Sequence, residues 1–256
     1  MEESNDTPST IGSVGKAFRI LEELQEHEAC RVTDLSHSVG LPESTVYKYL
    51  KTFELQDYVE RTDHGYALDY KFLQFGGIVR DRCRIFQFGR GRVESLAEEI
   101  DEVVFISVLN GERGVFIFRA NDQYNIKESL PLGKRFHLHQ NASGKAMLAK
   151  LTDAEIQRIV DNQGLPSRTE RTITSEEVLF DEIDQVRAQG YALNNAERDS
   201  KLMAVSSAVM DDKYDEIGAI GISIPRDSPA EEKLNGEYAR LVRKHSSKLT
   251  QQLRHS

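Results

Sequence analysis

Residues 40–50 read GLPESTVYKYL. Gly40 can close one helix, and Pro42 suits the first turn of the next, where its missing N–H has no partner to lose. At about 100° per residue, Val46, Tyr49, Leu50 and Phe53 share one stripe of that second helix. Ser44, Lys48 and Lys51 fall on the opposite face, with Thr45, Tyr47 and Thr52 at its edges. A helix that only fills a core has no use for such a face. A helix that touches something polar does.

Upstream, Ser13 can cap a helix whose Val14, Phe18, Leu21 and Leu24 make a buried stripe. Thr33 can cap a short helix with Leu35 and Val39 inward. Downstream, 58–62 and 66–68 read as strands around Asp63-His64-Gly65, a turn with glycine where a positive φ is expected. Three helices and a hairpin form a winged helix, whose second motif helix enters the major groove of DNA. Ser44 and Thr45 would then donate to phosphate, and Lys48 and Lys51 would reach phosphates or guanine edges. Tyr47 would pack on a sugar or thymine methyl, and Thr33, Arg61 and His64 complete the DNA-binding candidates. The bland alternative makes the hydroxyls caps and the lysines a solvated face.

The net charge of −9 speaks against a general nucleic-acid binder. Residues 1–70 hold six Lys/Arg against fourteen Asp/Glu, whereas residues 71–92 hold six against Asp81 alone. That shift marks a boundary. The acids of the first segment either lie away from a DNA face or suit work at high ionic strength, as in a salt-loving host. With 256 residues the chain has room for two domains. There is no apolar run of membrane-spanning length, the start is acidic and polar, and the only cysteines are Cys30 and Cys83. A cytoplasmic protein with no membrane partner, disulfide framework, metal site or cofactor is expected.

Farther on, 103–109 and 115–119 read as strands, and Glu112, Arg113 and Gly114 after Asn110-Gly111 suggest a loop longer than two residues. Helical patterns follow at 143–150, 153–162 and 175–189, then strand-like stretches near Tyr191, Val205 and Ile220, and a final helix over 230–252. This order predicts an antiparallel α+β sheet, not a βαβ repeat. Ser143-Gly144-Lys145 is no phosphate loop, because His139 and Ala146 stand where a glycine and a hydroxyl are needed. His137 and His139 lack a third ligand nearby, and no nucleophile elbow surrounds Ser143, so no catalytic residue is expected. Asn141, Ala142, Ser143 and Gly144 either cap a helix or offer free N–H groups to an anion.

SVGKAFRILEEL, VTDLSHSVGLPESTVYKYLKTFELQDYVER and GYALDYKFLQFG, then HLHQNASGKAMLAK, GYALNNAERD and EIGAIGISIP, resemble the IclR family of transcriptional regulators. The resemblance covers nearly the whole chain. It implies an α+β protein of two domains: a winged helix-turn-helix, a linker helix and a C-terminal effector-binding domain with an antiparallel sheet. On this reading 1–10 is a tail, 11–69 the DNA-binding domain, 70–92 a linker helix and basic connector, and 93–256 the effector domain. It further implies a homodimer or tetramer, a pseudo-palindromic double-stranded operator, and a small organic, sugar or aromatic acid as effector. The effector-binding candidates it carries over are Asn141, Ala142, Ser143, Gly144, Asn194, Ala204, Gly221 and Ser223, with Met203 as an apolar wall. The sequence departs from many relatives in lacking acids at Asn194, Asn195 and Ala196, and from some in lacking cysteine at Ala204 and serine at Gly221. The segment 70–77 looks like the end of a linker helix with a hinge at Gly76-Gly77, and the arginines after it suit a subunit or domain contact, a solvated face or an extended DNA contact, in that order. The rival reading is a metabolite-binding protein or enzyme whose winged helix is a protein-interaction module.

Overall fold

The computed structural model describes residues 10–121 and 130–256. Its contacts divide the chain into Met1–Val79 and Arg80–Ser256. The smaller unit holds α1 (Gly12–Gln25), α2 (Val32–Val39), α3 (Glu43–Leu55), β1 (Val59–Thr62), β2 (Gly65–Leu68) and the start of α4 (Lys71–Asp81). Ile20, Leu24, Leu35, Val39, Val46, Leu50, Val59 and Tyr66 form its core. The turn between α2 and α3 is fixed twice: Gly40 takes φ 64°, and Ser36 Oγ donates to the Leu41 carbonyl at 2.6 Å. Arg19 ties α1 to the same turn by donating to the Val39 carbonyl.

Cys30 and Tyr66 exchange two backbone hydrogen bonds of 2.9 Å, adding the α1–α2 connection to the hairpin edge. That approach explains Gly65, whose φ is 138° and whose Cβ, if present, would lie 2.3 Å from the Cys30 carbonyl oxygen. Four local expectations need correction. Ile11 precedes α1, so Ser13 is no cap, and α2 starts at Val32, leaving Thr33 inside its first turn. Val14 and Phe18 are 46% and 58% exposed. Helix α1 is apolar on two faces, and the core takes the one bearing Ile20 and Leu24. Finally, α4 does not end near Gly76-Gly77 but runs through them to Asp81, with no buried residue.

The larger unit contains α5 (Arg84–Ile100), β3 (Val103–Asn110), β4 (Arg113–Ala120), β5 (Arg135–Phe136), α6 (Ala142–Leu148), α7 (Asp153–Gln163) and α8 (Glu176–Gln189). Then come β6 (Ala192–Asn195), β7 (Leu202–Asp211), β8 (Glu216–Pro225), α9 (Glu231–Lys233) and α10 (Ala239–Arg254), the last two joined by a π-helical turn over Leu234–Tyr238. The six strands form one sheet in the order β5-β4-β3-β8-β7-β6, with every neighbouring pair antiparallel. The fold is α+β, as the element order predicts. Asn110 pairs with Arg113, so the β3–β4 turn has two residues and not the longer loop expected.

Both sheet faces are covered, and alternation along each strand decides what goes where. Val103 and Phe105 join Phe116, Met147, Ile156 and Ile183 beneath α6, α7 and α8. Val104, Ile106, Ile220 and Ile222 face the other way, onto Ile85, Val93, Val242 and Leu249 of α5 and α10. The arginine-rich stretch is thus not all connector. Arg84 pairs with buried Asp211 at 2.7 Å and donates to the Leu253 carbonyl, and Arg92 donates to Gln252, which pins α5 within its own unit. Among the described residues, no helix is long and apolar enough to cross a membrane.

Replacing Gly65 with alanine should destabilise the smaller unit by about 1–3 kcal/mol, the cost of a strained left-handed residue. Hydrogen exchange at the amides of 59–68 should quicken while those of β7 and β8 hold, and unchanged exchange in the hairpin would contradict the Cys30–Tyr66 constraint.

Candidate functional site

Helix α3 begins after Pro42, and no side chain caps it. Ser44 is exposed, and its hydroxyl has no hydrogen-bond partner among the described residues, so the capping alternative fails for it. Tyr47 and Lys48 are exposed beside it. Thr45 is half-buried. Lys51 is less free: its Nζ lies 2.6 Å from Glu54 Oε2 and 5.9 Å from the Tyr47 ring centre, and the carboxylate's hydrogen bond pushes its pKa up. At the hairpin tip, the Thr62 hydroxyl accepts from the His64 N–H at 3.2 Å and donates to Gly65, leaving Arg61 and His64 exposed. Thr33 is exposed too, with its hydroxyl turned to Asp34 at 3.4 Å. Glu22, Glu23, Glu26 and Glu28 gather at the end of α1 and just after it, on a different element from α3.

In the larger unit a cavity with about 350 Å³ of empty space, part of it open to solvent, lies where α6 meets the sheet. Phe105 and Phe116 supply its aromatic wall, edge to face at 5.4 Å. Asn141 Oδ1 caps α6 by accepting from the Gly144 N–H at 2.9 Å, which leaves its buried Nδ2 without a partner. Ser143 and Ser206 share a hydroxyl hydrogen bond of 3.0 Å. Asn194 accepts from the Glu197 N–H and donates to the Leu202 carbonyl. Ser223 donates to the Met203 carbonyl at 3.3 Å. Arg198 sets its guanidinium 5.3 Å from the ring centres of both Phe116 and Phe136. Burial, with Arg168's charge adding, lowers its pKa to about 10.

The family model described as "Bacterial transcriptional regulator IclR C-terminal" matches residues 79–251, and "IclR helix-turn-helix domain" matches residues 13–63. The HTH-type transcriptional regulator KdgR of Escherichia coli is 30% identical over 248 residues, 96% of this chain and 94% of its own length. The chain belongs to the IclR family. As an IclR-family protein it is a ligand-responsive, DNA-binding transcriptional regulator and not an enzyme. The crystal structure of the Thermotoga maritima IclR superposes with a TM-score of 0.81 at 26% identity, covering 96% of this chain and 100% of that one. An IclR homolog from Microbacterium hydrocarbonoxydans, solved with 4-hydroxybenzoate, has the same fold, with a TM-score of 0.77 at 18% identity over 95% of this chain and all of that one.

Of the residues expected at the effector site of this IclR-family regulator, Asn141, Ala142, Ser143, Asn194, Ala204 and Ser223 line the cavity. Three do not. Gly144 packs against the chain before α6, where a Cβ would stand 2.0 Å from the Leu138 carbonyl oxygen. Met203 alternates with Leu202 and Ala204 along β7 and faces the opposite core. Gly221 pairs with Phe105 across the sheet, and a Cβ there would fall 2.3 Å from that ring; it makes room for the aromatic wall. Sequence reading missed Phe105, Phe116, Leu130, Arg198, Asp199 and Leu202. Strand alternation would have found the two phenylalanines, but Arg198 sits in a connection without periodicity.

Beneath the cavity, Lys145 is 1% exposed, with its Nζ 2.7 Å from Glu197 and 2.8 Å from Glu182. Desolvation raises the Glu197 carboxyl's pKa, and Lys145 opposes that rise. Thr172 donates to the Glu197 carbonyl at 2.6 Å and Thr169 to the Ala196 carbonyl at 2.8 Å. The connection carrying Arg198 is therefore held from two sides.

A second, smaller cavity is lined by Glu112, His137 and His139 among apolar residues. Glu112 is already engaged by Asn162 and Gln163, each at 2.7 Å, and His139 faces the Pro166 carbonyl at 3.2 Å. Among the described residues no three metal-ligating side chains come together. Burial lowers the pKa of His137 from 6.5 to about 4, helped by Arg113, and burial lowers His139 as well.

Two measurements follow from these groups. Lys145→Met leaves two carboxylates facing each other and should cost about 3–5 kcal/mol in urea unfolding. Adding Glu197→Leu should recover much of it, and equal loss in both variants would argue against the buried pair. The two histidines stay neutral in the folded state and charge more readily when unfolded. Their contribution is complete above the ordinary histidine pKa and declines as pH falls from 6.5 towards 4. The fall in Tm from about pH 7 to about pH 5 should therefore shrink in His137→Asn.

Proposed function

We propose that this IclR-family regulator binds a pseudo-palindromic, double-stranded operator as a homodimer or tetramer in the cytoplasm. It controls catabolic or other metabolic genes in response to a small organic, sugar or aromatic acid held in the α6 cavity. The observation that carries the DNA half is the unengaged polar face of α3, with Ser44, Tyr47 and Lys48 exposed. Lys48 and the wing residue Arg61 supply positive charge for the phosphates, His64 offers a ring nitrogen beside them, and Ser44 and Tyr47 meet the backbone or base edges. Lys51, already paired with Glu54, contributes less. The acidic balance of this unit keeps non-specific affinity low, so that discrimination rests on α3.

Self-association is supported by apolar side chains that the chain leaves uncovered. Ile11, Val14 and Phe18 on and before α1, and Leu73, Ile78 and Val79 on α4, are between 46% and 71% exposed. Two-fold pairing of such faces would present two copies of α3 to two half-sites. The effector acts by binding one arrangement of the subunits more tightly than another, and shifts the equilibrium only by that difference.

The test is fluorescence anisotropy on DNA from upstream of the protein's own gene, against a scrambled duplex, across a salt series. Preference for the upstream duplex is expected, and Lys48→Ala should weaken binding and lower the salt slope by about one. Binding that ignores both the sequence and Lys48 would overturn the assignment of α3.

A further inference from the structure

Hydrogen bonds hold the cavity's serines and Asn194 in place. Ser143 is bonded to Ser206, Ser223 to the Met203 carbonyl, and Asn194 to two backbone groups. Two donors remain. Asn141 Nδ2 is buried without a partner, and its orientation is settled because its own Oδ1 accepts from Gly144. The Arg198 guanidinium makes no hydrogen bond or ion pair among the described residues and rests on the Phe116 and Phe136 rings. Both are donors with no acceptor capacity left. The rest of the lining is apolar or acidic: Phe105, Phe116, Leu130, Leu202 and Ala204, with Asp199 at the side of Arg198.

These facts fix the complement. Two unspent donors, one of them cationic, call for an acceptor-only anion, which a carboxylate is and an alcohol or amide is not. Arg198 is the one cation among the described lining residues, so it compensates one carboxylate and would leave a second desolvated. The hydroxyls of a sugar body would lose water against the rings and leucines, whereas a flat or aliphatic body meets them without loss. We infer that Arg198 is the anion-reading residue of this cavity, aided by Asn141. The ligand it selects is a monocarboxylate with an aromatic or aliphatic body, in preference to a sugar acid or dicarboxylate. This rests on the reading of the cavity as the effector site and narrows the ligand class.

The full-length protein is titrated calorimetrically with benzoate, phenylacetate and hexanoate, each beside its neutral amide, and with gluconate and phthalate. At least one of the three monocarboxylates is expected to bind at least about tenfold more tightly than its amide, gluconate or phthalate. Arg198→Gln should lose that preference for acid over amide, Arg198→Lys should retain part of it, and both should melt near the wild-type temperature without ligand. The inference is overturned if gluconate or phthalate binds most tightly, if an amide matches its acid, if Arg198→Gln binds the acid unchanged, or if none of the three monocarboxylates binds. Operator anisotropy with the same probes separates the two claims. An acid that binds through Arg198 but leaves operator binding unmoved overturns the effector reading alone. A sugar acid that shifts operator binding overturns this inference alone.

Discussion

Lys145 keeps its ammonium within 2.8 Å of Glu182 and Glu197 while almost wholly out of water, and three elements depend on that arrangement. Its own helix, α6, brings Asn141 and Ser143 to the cavity; α8 brings Glu182; the β6–β7 connection brings Glu197 and, next to it, Arg198. A buried ion pair contributes little net stability against an apolar replacement, but removing one partner is costly. The pair therefore acts less as glue than as a register pin. It allows one placement of the connection relative to α6, and so one placement of the guanidinium.

The same economy governs the sheet. Covered on both faces, it must be apolar on both, and β8 meets this with Ile217 and Ala219 on one side and Ile220, Ile222 and Ile224 on the other. Its glycines serve the neighbours: Gly221 gives way to Phe105, and Gly218 would press on the Ser107 carbonyl if it carried a Cβ. The aromatic wall has room because β8 carries a glycine opposite Phe105, two residues before Ser223.

Much of this was legible from periodicity. The winged helix could be read because α3 separates Val46 and Leu50 from Ser44 and Lys48 cleanly on a wheel, and because the turn before Gly65 needs a residue that tolerates positive φ. Where one helix carried two apolar faces, the sequence did not say which was core: the stripe read from it took in Val14 and Phe18, which are exposed, and left out Ile20, which is buried. For the cavity, family resemblance pointed to the loop before α6, to β6 and to the last strand. A motif does not show close approaches such as those at Gly144 and Gly221, whereas the alternation that turns Met203 to the opposite core is legible along its strand. Arg198 could not be found at all by pattern. Its significance comes from what surrounds it, two rings and no hydrogen-bond partner among the described residues.

Helix α4 carries a consequence in the language of helix–coil equilibria. It is eleven residues long with two adjacent glycines, each costing about 1 kcal/mol relative to alanine, and isolated helices shorter than about 12–15 residues are marginal in water. Its first turns are steadied by Phe72 and Phe75 against the Tyr58 ring, but beyond Gly76-Gly77 the exposed Ile78 and Val79 add no burial. Its far end is instead held by Arg80 on the Phe86 ring and by Gln87 donating to the Asp81 carbonyl. The helix is thus clamped at both ends, and the glycine pair between the clamps is its weakest turn.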